Sequence, residues 1–141
     1  MQVFIVGTPF ETAMVLSQKH LNNQINEAKI ILDALSGAKA WSNHPCVLQY
    51  RGHEVWLRHY HDCLMFYMRG EYKLARIESY YADDLHRPPF HCDEFFAQHK
   101  RRLYTKNPNH YKQWSPLGNS DCNWYFVDNE WRKYINGKRI E

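Results

Sequence analysis

In HLNNQINEAKIILDALSG, residues His20–Gly37, apolar side chains recur at helical spacing and a glycine closes the run. At 100° per residue, Leu21, Ile25, Ala28, Leu32 and Leu35 fall within an arc of roughly 80°, as the core-facing stripe of an α-helix does. The pattern predicts a helix beginning near Gln18 and stopping at Ser36-Gly37, where glycine accepts the left-handed conformation that follows a last turn. His20, Gln24, Glu27 and Ile31 form the adjoining stripe. That places an imidazole, an amide and a carboxylate at the edge of the core, partly shielded from water. A glutamate in such a place is ordinarily a paired or snorkelling surface residue.

Outward from this helix the chain divides into further segments without internal repeats. Met1 to Val6 alternates weakly, as a short strand does, and ends at Gly7. Thr8-Pro9-Phe10-Glu11 has the form of a helix start: threonine as N-cap, proline at the first helical position, glutamate three residues after the cap. PCVLQYRGHEVWLRHYHDCLMFYMR, Pro45–Arg69, predicts a second long helix capped by Asn43 or His44 and ended by Gly70, with Gly52 as a weak point. Gly70 to Pro89 reads as a less regular connection. A third helix is expected from Cys92 to about Tyr104, with Cys92, Phe96, His99 and Leu103 on one face and Pro108 barring continuation. From Trp124 the texture changes to WYFVDNEWRKYINGKRIE, in which Asp128-Asn129 and Asn136-Gly137 are turn signals between alternating runs. The expected fold is mainly α: a compact single-domain helical bundle over residues 1–141, with about three main helices and a small C-terminal β-meander or aromatic tail.

The chain has no apolar run of about 18 residues, and Met1 to Val6 is too short for a secretory core, so an intracellular, cytoplasmic protein without membrane insertion is expected. The four cysteines, Cys46, Cys63, Cys92 and Cys122, form no CxxC pair, which argues against a zinc ribbon or a disulfide scaffold. Net charge is only +3, so a polyanion would be held by local clusters. Lys100, Arg101, Arg102 and Lys106 make one cluster, and Arg132, Lys133, Lys138 and Arg139 another. Aromatic residues are 16% of the chain and interleave with these cations. That mixture suits nucleic acid, where cations hold phosphates and rings stack on bases.

Five segments, in order, resemble the pyrimidine-dimer DNA glycosylases of the endonuclease V type, known from phages and related bacterial proteins. They are the chain start at Met1, KHLNNQINEA (Lys19–Ala28), GAKAWSNHP (Gly37–Pro45), HKRRLYTKNPNHY (His99–Tyr111) and WRKYINGKRI (Trp131–Ile140). The resemblance implies a mainly helical enzyme that flips a nucleotide out of damaged double-stranded DNA. The nucleophile it implies is the α-amine of the first residue, which attacks deoxyribose C1′, expels the base and forms an imine that permits strand cleavage. Met1 would supply that amine, with Gln2 beside it, because a bulky second residue usually leaves the initiator methionine in place. A glutamate on the first long helix supports this chemistry, and by position it is Glu27. The DNA-binding residues implied are His20, Gln24, Asn43, His44, His99, Arg102, Lys106, Tyr111, Trp131, Lys133 and Lys138. Asn26, Ile30 and Val3 stand where the phage enzyme carries arginines, which leaves phosphate binding to Lys19, Lys29, Arg102 or Lys106. No cofactor is implied, and the expected state is a monomer.

Nine histidines, among them His59 and His61 around Tyr60 and His91 before Cys92-Asp93, raise a metal-dependent nuclease as an alternative. Residues two apart on a helix point in different directions, and neither HExxH nor a Cys/His quartet occurs, so no metal is expected. A DNA-binding module without catalysis is the third reading.

Overall fold

A computed structural model describes residues 1–70 and 87–140. Most of the expected Gly70–Pro89 connection therefore lies outside the described residues. The elements run α1 (Pro9–Val15), α2 (Gln18–Leu35), α3 (Pro45–Tyr50), α4 (Glu54–Met68), α5 (Asp93–Lys106), a 3-10 helix (Lys112–Leu117), β1 (Asn123–Val127), β2 (Glu130–Ile135) and β3 (Lys138–Arg139). The fold is mainly α, with an antiparallel sheet in the order β1-β2-β3 at the C-terminal end. α2 and α1 pack on α4, α3 packs on β1, and α5 lies against the 3-10 helix and β1. No helix among the described residues is long and apolar enough to cross a membrane.

Local chemistry accounts for most element ends. Thr8 and Glu11 form a reciprocal capping box at α1, each side chain bonding the other's backbone N–H at 3.1 Å. Ser17 caps α2 by accepting from the His20 N–H, and past Ser36 the chain turns through Gly37 at φ 116°. Asp128 and Asn129, then Asn136 and Gly137, all have φ between 50° and 79° and make the tight turns of the meander.

Three expectations need correction. The Pro45–Arg69 helix is two helices, because the chain breaks at Arg51-Gly52-His53 with Gly52 at φ 88°. The break lets the Tyr50 ring stack on Trp56, which stacks in turn on Tyr60, at centroid separations of 6.0 and 5.5 Å with rings nearly parallel. All three rings are fully buried and form the centre of the core. Second, the buried face of α2 consists of Leu21, Gln24, Ile25, Ala28, Ile31 and Ala34. The helix is thus turned by roughly 50° from the apolar seam toward Gln24, for a reason given below. Third, Met1 to Val6 joins no strand, although Gln2 through Ile5 are buried. On α5 the inward face is Phe95, Gln98, His99 and Leu103, with Cys92 exposed at its N-cap.

Candidate active site at the chain start

An extended, buried backbone without a neighbouring strand must find hydrogen-bond partners elsewhere. Side chains from six elements supply them. The Phe4 N–H donates to Gln24 Oε1 at 2.8 Å, and Gln24 Nε2 donates to the Gln2 carbonyl at 2.8 Å. One amide thus plays the part of an adjacent strand, which explains a polar residue at the middle of the buried face of α2. The Tyr60 hydroxyl donates to the Phe4 carbonyl, the Tyr125 hydroxyl to the Met1 carbonyl at 2.7 Å, and the Ile5 N–H to His99 Nδ1 at 2.8 Å. Thr12 Oγ1 accepts from Val6 N–H, and the buried Cys46 thiol meets the Val3 backbone.

The His99 contact settles a tautomer. Nδ1 accepts, so the ring proton of the neutral imidazole sits on Nε2, 3.1 Å from the Gln2 amide. That amide must present its oxygen to the ring, which leaves its NH2 in the buried position that has no partner among the described residues. Burial holds the His99 pKa down, to about 3, so the ring stays neutral and the anchorage intact at ordinary pH.

These bonds bring the start of the chain against Glu27. The Gln2 N–H donates to Glu27 Oε2 at 3.2 Å, and Gln24 Nε2 donates to the same oxygen at 3.2 Å. Glu27 Oε1 makes no hydrogen bond among the described residues, which leaves one oxygen for chemistry. Burial raises the Glu27 pKa, opposed by the Gln2 bond, the positive terminal amine and Lys106. His44 also feels the terminal amine, which together with burial lowers its pKa. A carboxylate, an amine, an imidazole and a lysine therefore share one small region.

The remaining expected site residues fall around this centre in different ways. His20 lies beside it, its Nδ1 accepting from the Tyr111 hydroxyl at 2.7 Å, while that hydroxyl accepts from Ser17 N–H. Burial and the charges of Lys106 and Lys19 lower its pKa, which marks a cationic margin along α2 and α5. Tyr111 is fully buried and stacks on Trp114, so it supports His20 from below the surface. Asn43 is exposed, and His44 caps α3 by accepting from Cys46 N–H. His99 is wholly enclosed and cannot touch DNA; it anchors Ile5 instead. Arg102 binds Asn123 Oδ1 and the Ser120 carbonyl, tying α5 to the start of β1. Lys106 remains exposed at the end of α5.

The sheet separates the C-terminal residues by face. Tyr125 pairs with Arg132 and touches Tyr134 edge-on, and this face carries the clamp on Met1. Trp131 packs against Phe126, Phe95 and Trp124, and Lys133 lies over the Trp124 ring at 4.8 Å, on the opposite face. Trp131 is thus part of the packing between sheet and α5, and Tyr134 is the tail aromatic on the site side. Lys138 is exposed on β3. Sequence reading missed Tyr125, Tyr60 and Cys46; only the alternation of β1, which turns Tyr125 inward with Val127, hinted at any of them.

Other places carry less chemistry. A surface hollow is lined, among the described residues, by Phe10, Met14, Tyr67 and Gly70, without a carboxylate, histidine or lysine. Among the described residues no group of three His, Cys, Asp or Glu side chains gathers to hold a metal ion. His91, singled out with Cys92-Asp93, is buried and bonded to the Tyr50 hydroxyl at 2.9 Å.

No curated protein and no solved structure matches the chain. A family model, that of the pyrimidine dimer DNA glycosylases, matches residues 1–75, a span that holds Met1, Gln24, Glu27, His44 and Tyr60. With more than half of its length matched, the chain belongs to the pyrimidine dimer DNA glycosylase family.

Proposed function

We propose that the protein excises a damaged base from double-stranded DNA, with Met1's α-amine as nucleophile, and then cleaves the strand at the abasic sugar. The observation that carries this reading is the convergence of a buried, side-chain-anchored chain start on Glu27. Family membership implies glycosylase activity toward pyrimidine dimers. The amine lone pair forms the bond to C1′ as the glycosidic bond breaks, and the departing base takes its electrons and a proton. The sugar ring opens to an imine, loss of a C2′ proton follows, and the 3′ phosphate leaves. Glu27 stabilises positive charge on the sugar and carries protons between amine, ring oxygen and C2′. Lys106 and Lys19 hold phosphates at the margin.

Single-turnover reaction with a duplex bearing one cyclobutane pyrimidine dimer tests the reading. Scission of one glycosidic bond of the dimer followed by strand cleavage is expected, the freed base staying joined to its neighbour through the cyclobutane ring, with the undamaged duplex left intact. Base loss without cleavage would remove the lyase step, and an untouched dimer would remove the substrate assignment.

A further inference from the structure

Among the described residues, Trp41 is an exposed aromatic that touches a residue of this site, His44. Its side chain is 54% exposed, whereas most rings of this protein are buried or half-buried in packing. Its backbone is left-handed, φ 67°, a conformation that bulky L-residues rarely adopt and that asparagine or glycine would enter more easily. The turn holding it is fixed at both ends: Ser42 N–H donates to the Lys39 carbonyl, and His44 N–H donates to the Trp41 carbonyl at 2.9 Å. His44 then caps α3, so the turn that carries the exposed ring is bonded directly into the start of a helix.

The ring also has a defined route to the chain start. Trp41 meets the His44 ring edge-on at 5.8 Å, His44 meets Tyr125 edge-on at 5.8 Å, and the Tyr125 hydroxyl holds the Met1 carbonyl. His44 itself lies within electrostatic reach of the terminal amine. A flat apolar face therefore stands at the rim of a site that handles a sugar whose base has been displaced.

We infer that Trp41 is a nucleobase-stacking residue, receiving the face of a base left without its normal neighbour beside the reacting sugar. This rests on the base-excision reading above and adds a recognition residue to it. Every base has a π-face, so such a platform contributes to lesion binding without fixing sequence. Extruding a nucleotide loses stacking energy, which a ring held ready in place partly restores.

Binding of Trp41→Ala, Trp41→Phe and Trp41→Gly is compared on matched duplexes, one intact and one carrying a tetrahydrofuran abasic analogue, alongside borohydride trapping of the parent chain on a natural abasic duplex. Trp41→Ala is expected to weaken binding to the abasic duplex about ten- to hundredfold and binding to the intact duplex less than about twofold. Trp41→Phe should recover most of the loss. Trp41→Gly should melt at a higher temperature than Trp41→Ala, because glycine relieves the left-handed backbone, yet bind the lesion no better. If the parent traps and prefers the abasic duplex while Trp41→Ala binds both duplexes as the parent does, or weakens on both equally, the stacking role is overturned and base excision stands. If the parent neither prefers the abasic duplex nor breaks a glycosidic bond in the dimer duplex, base excision fails and the stacking role falls with it.

Discussion

The backbone N–H of Gln2 and the carboxylate of Glu27, 25 positions apart in sequence, lie 3.2 Å apart in the fold. That contact is held from behind. Gln24, one turn earlier on α2, bonds residues 2 and 4 and also Glu27, so the helix that carries the carboxylate carries the template for the chain start. Any displacement of one moves the other.

Glu27→Gln keeps the shape and both bonds to Oε2's position but removes the charge. Turnover on an abasic duplex is expected to fall by about two to four orders of magnitude, as for loss of an acid–base group. Stability should change the opposite way. Burial raises the Glu27 pKa above its ordinary 4.5. The neutral carboxyl's contribution is therefore fully present below that value and is lost as pH rises through the raised one. Glu27→Gln should melt above the parent at neutral pH, with the gap closing under acid conditions; an unchanged melting temperature at both pH values would remove the burial penalty.

Gln24→Leu conserves bulk and deletes the strand surrogate. The Phe4 N–H and the Gln2 carbonyl would be left unsatisfied in the core, a loss of about 3 kcal/mol or more in urea unfolding. Surviving protein should bind intact DNA normally while kcat falls, because the reacting end is no longer held. A urea midpoint like the parent's would mean that the amide bonds contribute little.

Acid should unfold the protein through its buried histidines. His99 is held down to about 3 and His91 well below the ordinary 6.5, both chiefly by burial. Each contributes stability that is full above 6.5 and declines as pH falls toward the folded value. Around pH 5 these two rings should account for about two of the protons taken up on unfolding, read as the change in the pH dependence of the unfolding free energy when both are replaced by glutamine. Uptake near zero would show that these rings titrate normally.

The cations should separate by role. Lys106→Ala is expected to weaken binding to all duplexes and lower the salt slope by about one unit. Arg102→Ala should instead lower the melting temperature first, since it releases Asn123 and Ser120 from α5. Equal melting temperatures for the two variants would contradict that division.

The helical class, the stop at Gly37, the Thr8 capping box and the two meander turns were legible because each depends on residues close in sequence. Glu27 stood out for the same reason, as a carboxylate beside an apolar stripe. The division of Pro45–Arg69 was not legible, because Gly52 breaks the helix in order to stack Tyr50 on Trp56, a contact between two helices. The partners of the chain start were hidden as well. Gln24, Tyr60, His99 and Tyr125 lie 20 to 124 positions from the residues they bind, and no local pattern encodes such pairings. The packing of Trp131 on Phe95 was not legible either, since an aromatic among cations looks the same in sequence whether or not it also packs on a helix.

We place the reacting group at the amine that starts the chain, set against Glu27. Borohydride reduction on an abasic duplex, followed by proteolysis and mass analysis of the cross-linked peptide, tests it most directly. A reduced sugar adduct is expected on the α-nitrogen of the peptide beginning with Met1, abolished by N-terminal acetylation. An adduct on Lys106 or Lys19, or full trapping by the acetylated protein, would contradict it.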